Sequence, residues 1–354
     1  YAAEDDPELL KAFEWVNRWG IGGVVISIGT PHAYAAKLNA LQEWSDIPLL
    51  VTSDFENGGP GMRLNHSYAL PTLLPQGGGT SFPPTMAFGA VGEEEEVERF
   101  ARITAREARA VGVHLNFAPV LDVNSNPENP IINTRAFGES PADVARLGRA
   151  YIRGARQGGV LTTAKHFPGH GDTQVDSHLE LPEVIADRTR LDQVELIPFW
   201  AAVDEGVDAV MTAHVSIPGI LGSGAPPATL SPEFMTELLR EEMDFSGLLF
   251  TDALSMGAIT DAYGAGEVAV LALEAGADVI LMPESVPTAI EAVVESVEAG
   301  RVSRLRIDES VRRILTAKAR VGLDRNRTVS LDEVTKVVGI TEHWDMANEV
   351  ATRA

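Results

Sequence analysis

The sequence predicts an α/β fold of the (β/α)8, TIM-type barrel class, and three observations carry that expectation. Seven short apolar runs rich in β-branched residues alternate with segments of helical period. The runs are apolar throughout rather than alternating, as strands buried on both faces of a parallel sheet are. Polar residues then stand at the C-terminal ends of five runs, the side on which barrels of this kind build their sites.

The elements follow in order. A helical pattern, DPELLKAFEWVNRWG (6–20), precedes the first apolar run. Barrel helices follow strands, so the first strand is expected upstream of Tyr1 or missing from this chain. The runs IGGVVIS (21–27) and PLLVTSD (48–54) come next, the second ending on Asp54. A long Gly- and Pro-rich connection over 57–86 reads as a surface excursion that frames a site. Its GGG is not followed by the Lys-Ser/Thr of a phosphate-binding loop. The run GEEEEVERF (92–100) opens a helix with carboxylates at the positive end of its dipole, and helical period continues to Gly112. The third run, VHLNFAPVLD (113–122), ends on Asp122. Ser140 caps a helix that closes on a glycine pair, and VLTTAKHF (160–167) follows. The last three runs are VDAVMTAHV (207–215), GLLFTDALS (247–255) and ADVILMP (277–283). The tail is helical over 303–323 and 341–354.

Composition bounds the function. Of the 354 residues 45% are hydrophobic and 22% charged, ordinary for a globular protein with a large core. A formal charge of −23 argues against nucleic acid or anionic lipid as partner, because such a surface repels phosphate. No apolar run reaches the roughly 18 residues of a membrane span. With no cysteine there is no disulfide, no thiolate nucleophile and no Cys-ligated zinc. No signal peptide is visible, yet the chain begins at Tyr1 rather than Met, so a cytoplasmic or an exported location is expected, with export preferred. Oligomeric state is not readable.

The stretch TTAKHFPGHGDTQVDSHLELP (162–182) holds three of the eight histidines, with Lys165, Asp172 and Asp176. A connecting turn needs Gly, Pro, Asn or Asp for its backbone but has no use for Lys165, His166, His170 and His178 together. The segment is a metal site, an acid/base site or a solvated loop.

Three motifs narrow this. AKHFPGHGDTQVDSH, LLFTDALSMGAI and NPIINTRAFG resemble the family 3 glycoside hydrolases, and in particular their β-N-acetylglucosaminidase branch. The likeness runs from the first apolar run to about Gly322. It implies a retaining mechanism, for which an anionic nucleophile and a proton donor are needed. Asp252, at the end of a buried run, is then the nucleophile; taken alone it reads equally as a helix N-cap. The family's donor is a histidine paired with an aspartate, here His178 and Asp176. Residues two apart in an extended loop project to the same side, so the carboxylate can orient the imidazole. Alone, the pair reads as an Asx turn with an exposed histidine. The resemblance further implies that Asp54, Arg63, Arg135, Lys165 and His166 bind sugar hydroxyls, and His170 reads as a structural member of its loop. Family members commonly read D-Q-E-G-G-R-V where this chain has DFENGGPGMRL. The implied partner is a carbohydrate bearing terminal N-acetylglucosamine, from peptidoglycan fragments or chitooligosaccharides, with no cofactor and no metal. Residues 1–325 are expected to form the catalytic barrel and 326–354 a helical extension, which in related chains leads to a further domain.

Other readings compete. A family 3 β-glucosidase takes its acid/base from elsewhere, so the DSH loop discriminates against it. A phosphorylase would use phosphate in place of water. A metal-dependent barrel hydrolase would gather Lys165, His166, His178, His214 and Asp252 as ligands, but it lacks the expected H-x-H pair on a first strand. A non-catalytic carbohydrate-binding barrel would have lost the nucleophile or the dyad, and both are present.

Overall fold

The computed structural model of the chain describes residues 7–64, 78–177, 180–260 and 262–354. Its strands are β1 (Gly23–Val25), β2 (Leu50–Ser53), β3 (Leu115–Asn116), β4 (Leu161–Phe167), β5 (Ala209–Thr212) and β6 (Leu248–Phe250). All pairings are parallel and the spatial order is the sequence order, β1-β2-β3-β4-β5-β6. A parallel neighbour can be reached only by a crossover, and each crossover carries a helix: Pro31–Trp44, Glu94–Ala110, Pro141–Gly158, Ile197–Asp204 and Glu233–Glu242 in turn. Among the described residues, no helix is long and apolar enough to cross a membrane.

The chain divides into two compact units, with the boundary inside β4. The first holds the described parts of Tyr1–Pro119, Ala150–Thr162 and Lys318–Ala354. Its ladders pair Val24 with Val51, Ser53 with Asn116 and Leu115 with Leu161. Gly23 is required where β1 meets β2, since a Cβ there would lie 2.4 Å from the Leu50 carbonyl oxygen. Thr30 opens the helix Pro31–Trp44 by accepting from the Ala33 amide, with proline at the first helical position. Glu94–Ala110 starts on three glutamates and buries Phe100, which stacks on Phe88 with ring centroids 4.4 Å apart. The C-terminal residues are built into this unit. Asn39 exchanges two hydrogen bonds with the backbone of Val329, and the buried Glu107 binds Thr80, the Gly339 amide and His343.

The second unit comprises Val120–Arg149 and Thr163–Ala317. Here β4, β5 and β6 pair through Ala164 with Val210 and Val210 with Leu249, and single bridges join Val120 to Lys165 and Phe250 to Val279. The run 277–283 therefore contributes a bridge rather than a ladder: Met282 turns to φ 42°, which takes the chain out of the extended conformation. The run 113–122 is likewise cut short, because Pro119 has no amide to donate and only Val120 pairs again. Ser140 accepts from Asp143 N at 3.4 Å, as a cap does. Asp278, fully buried, gathers Arg240, Arg313, Ser310 and the Leu249 amide and so anchors the surrounding helices to β6.

Candidate active site

The second unit brings Lys165, His166, Arg135 and Asp252 into one electrostatic neighbourhood, organised by a carboxylate to which the sequence reading gave no role. Asp122 has no exposed surface. Its Oδ1 accepts from the His170 amide at 2.7 Å, and its Oδ2 lies 2.7 Å from His166 Nδ1 and 3.2 Å from the His166 amide. One buried side chain thus ties down both ends of the turn after β4. Burial alone would raise its carboxyl, but His166 and the His170 amide favour the anion and hold it below the usual range.

The other face of His166 meets Arg135, whose Nη2 lies 3.3 Å from Nε2. A guanidinium can only donate, so Nε2 accepts and Nδ1 carries the proton shared with Asp122. Arg135 also donates to the Ile131 carbonyl at 3.1 Å. The loop that carries it is fixed by Asn129, which accepts from the amides of Ile131 and Ile132 and donates to the His170 carbonyl at 2.8 Å. His170 itself is buried between Thr173 Oγ1 at 2.7 Å and Ser177 Oγ at 2.9 Å, and burial pushes its imidazole down to about 4. Its part is to brace the loop, as its sequence context suggested. Asp176, half-buried, lies on this loop, while His178 falls outside the described residues.

Asp252 follows β6 and is half-buried. Its Oδ1 accepts from the Ala253 amide at 2.8 Å. The helix after it begins only at Gly257, so Asp252 is not its cap. Burial opposes ionisation of this carboxyl, yet His166, His214, the Ala253 amide and Lys165 together lower its pKa below the ordinary value. His214 spans Thr229 Oγ1 at 2.8 Å and the Ala253 carbonyl at 3.0 Å, which ties down the residue after Asp252. Both ring nitrogens of His166, His170 and His214 are thus engaged by protein groups. No cluster of three or more potential metal-ligating side chains occurs among the described residues.

Asp54 and Arg63 lie in the first unit, where they pair with each other. Arg63 Nη2 is 3.4 Å from Asp54 Oδ2, and Nε donates to the Asp54 carbonyl at 3.3 Å. The intervening segment turns through Gly58 and Gly59, both at positive φ.

Residues 11–317 match the N-terminal domain of glycosyl hydrolase family 3. The chain belongs to glycosyl hydrolase family 3. Among curated relatives of this family 3 chain, beta-hexosaminidase A of Pseudoalteromonas piscicida is 32% identical, with 96% of this chain and 60% of the relative covered. The solved structure of a family 3 beta-N-acetylglucosaminidase from Paenibacillus sp. str. FPU-7 superposes with a TM-score of 0.88 at 40% identity, covering 97% of this chain and 64% of that one. A beta-glucoside phosphorylase, BglX, gives a TM-score of 0.86 at 29% identity over 99% and 64% of the two chains. This family 3 chain thus spans about three fifths of the length of these relatives. The barrel expected from strand and helix alternation is its fold class: an α/β, TIM-type barrel domain. At the C-terminal end of one family 3 strand stands a carboxylate kept ionised among donors. That arrangement can attack an electrophilic carbon or stabilise a developing positive charge.

Proposed function

We propose that this chain is the catalytic part of a retaining β-N-acetylhexosaminidase that removes terminal N-acetylglucosamine from peptidoglycan fragments or chitooligosaccharides. One observation carries the reading: Asp252 is held as a carboxylate at the mouth-side end of β6, poised by Lys165, His166 and His214. A nucleophile must be anionic before substrate arrives, and this one is. An Asp252 oxygen bonds to the anomeric carbon as the glycosidic C–O bond breaks, and the leaving oxygen takes a proton from His178. Water then attacks the glycosyl-aspartate, gives its proton back to His178, and releases the sugar with Asp252 regenerated. Asp176 orients and charges His178. Asp54, Arg63, Arg135, Lys165 and His166 hold hydroxyls through charge-assisted hydrogen bonds. Asp122 fixes the His166 ring through Nδ1, and in this reading a sugar hydroxyl meets His166 at Nε2 by taking the place of its contact with Arg135. Residues 1–325 make up the catalytic barrel in this reading, and 326–354 form a helical extension.

Asp252→Ala is expected to lower kcat on aryl β-N-acetylglucosaminides by at least about 10³-fold with the melting temperature little changed. Treatment with a slow fluorinated glycoside followed by peptide mapping should place the label on Asp252; a label on another carboxylate defeats the assignment. The same substrates with glucose in place of N-acetylglucosamine test the sugar preference. The phosphorylase-like neighbour makes one further comparison necessary, turnover with and without phosphate. Appearance of the sugar 1-phosphate as main product would assign the chain to phosphorolysis.

A further inference from the structure

Within the first unit, lined by none of the residues given a catalytic or sugar-binding role, a cavity of about 370 Å³ opens between the end of one helix and the turn 321–329. Its size falls in the range of small-ligand sites, about 300–1,000 Å³. Arg109, His114, Arg325 and Arg327 line it. Arg109 spends Nη2 on the Val321 carbonyl at 3.1 Å, while its buried Nη1 has no hydrogen-bond partner among the described residues. His114 Nδ1 accepts from the Val51 amide at 3.1 Å, which leaves Nε2 as the ring's donor. Beside them Lys318 is 5% exposed, and no described carboxylate pairs with it.

Arg327 spends Nη1 on the Gln42 and Ser45 carbonyls, but the positive charge of these groups meets little acid. Among the described residues, the acid in an ion pair with a lining side chain is Asp324, 3.7 Å from the exposed Arg325. The chain has 51 acidic residues against 28 basic ones, so internal partners were abundant. Buried cations without partners are costly, and folded proteins ordinarily pair them. The electrostatics agree: burial brings the Lys318 ammonium down to about 8, and burial with the charges of Arg109 and Lys318 presses His114 to about 3. The free Nη1 of Arg109, the His114 N–H and the guanidinium of Arg325, with an ammonium charge nearby, suit a tetrahedral dianion better than a halide, because several oxygens can accept at once.

We infer that this cavity is a binding site for a small oxyanion of the phosphate or sulfate type, held by Arg109 and His114 with Arg325 at its rim and the charge of Lys318 close behind His114. The inference does not rest on the proposed catalytic activity, and its test does not use turnover. The intact protein is titrated at pH 7 with phosphate, sulfate or chloride at matched ionic strength, by calorimetry and thermal melting. Phosphate and sulfate should bind saturably and raise the melting temperature by roughly 2–5 °C, with chloride inert. Lys318→Met should melt no lower than wild type without phosphate, since it removes a buried charge, and should weaken phosphate binding by about tenfold or more. Arg325→Ala, altering a side chain that is 78% exposed, should weaken it without touching the core. Asp252→Asn should bind phosphate as wild type does. Equal phosphate response in wild type and both cavity variants, or a response lost only in Asp252→Asn, overturns the site; so does the absence of saturable binding.

Discussion

Asp122 sits at the end of an apolar run, where sequence alone showed a polar group but could not show what it touched. Its role comes from backbone amides of a turn that begins 44 residues later, and no local pattern encodes that. His214 was legible to the same extent: a strand-end polar residue whose partners, Thr229 and the Ala253 carbonyl, belong to other segments. Asp252, Lys165, His166 and Arg135 each fall inside a short motif, and the structure sets them in one neighbourhood. Chemistry at this scale also sets a pH response. His170 and His114 are held at about 4 and about 3 against an ordinary 6.5, so between those limits the unfolded chain binds protons that the folded chain refuses. Stability therefore falls as pH drops from 6.5 towards 4, each histidine taking up to about 1.4 kcal/mol per pH unit. Urea midpoints at pH 7, 6 and 5 should show this, and His114→Gln should flatten the slope; an unchanged slope would mean that His114 titrates normally. A second residue-level expectation follows from the proposed acid. His178→Ala should impair oligosaccharides with poor leaving groups far more than nitrophenyl glycosides, which depart without protonation. A loss of similar size on both substrate types would instead assign His178 to binding.

At the scale of elements, strands and helices were legible wherever period and capping agreed, and their ends were not. Six of the seven apolar runs become strands, and the seventh ends at Met282 after a single bridge. Helix Glu94–Ala110 stops two residues short of the expected Gly112, which turns at φ 92°. What the sequence did not announce is why glycine recurs within helix Pro141–Gly158. A Cβ at Gly154 would lie 2.2 Å from the Glu98 carbonyl oxygen, and one at Gly158 would lie 2.3 Å from Ala105 Cβ. These two glycines let the helix backbone approach Glu98 and Ala105 directly. Helix propensity alone favours Gly154→Ala by about 1 kcal/mol. The contact opposes it, because carbonyl backbone cannot retreat, and overpacking of this kind costs about 1–3 kcal/mol. The net expectation is destabilisation, read as a lower urea midpoint with unchanged m-value; a stabilised Gly154→Ala would show that the helices can part freely.

At the scale of the molecule, composition gave the class, and long-range polar contacts supply what composition omits. The sequence reading set 326–354 apart as an extension. In the structure these residues belong to the same compact unit as the first three strands. The link is Glu107, whose carboxylate is wholly buried and binds Thr80 N at 2.9 Å, Thr80 Oγ1 at 2.6 Å, the Gly339 amide at 3.1 Å and His343 Nδ1 at 2.6 Å. Two of those four donors come from the C-terminal segment, more than 230 residues away in sequence, so the segment completes the solvation of a buried charge. Arg353 adds contacts of 2.5 Å to Glu93 and 3.0 Å to Glu96, but these are partly exposed and weak by comparison. Removing one partner of a buried pair costs about 3–5 kcal/mol, since the remaining charge is left short of donors. His343→Ala should therefore lower the melting temperature by several degrees and deprotect the amides of Thr341–Arg353 to hydrogen exchange. Glu107→Gln in the same chain should recover part of that loss, because a neutral amide needs the imidazole less. If the C-terminal helix were only laid against the surface, His343→Ala would cost no more than an exposed substitution, and Glu107→Gln would rescue nothing.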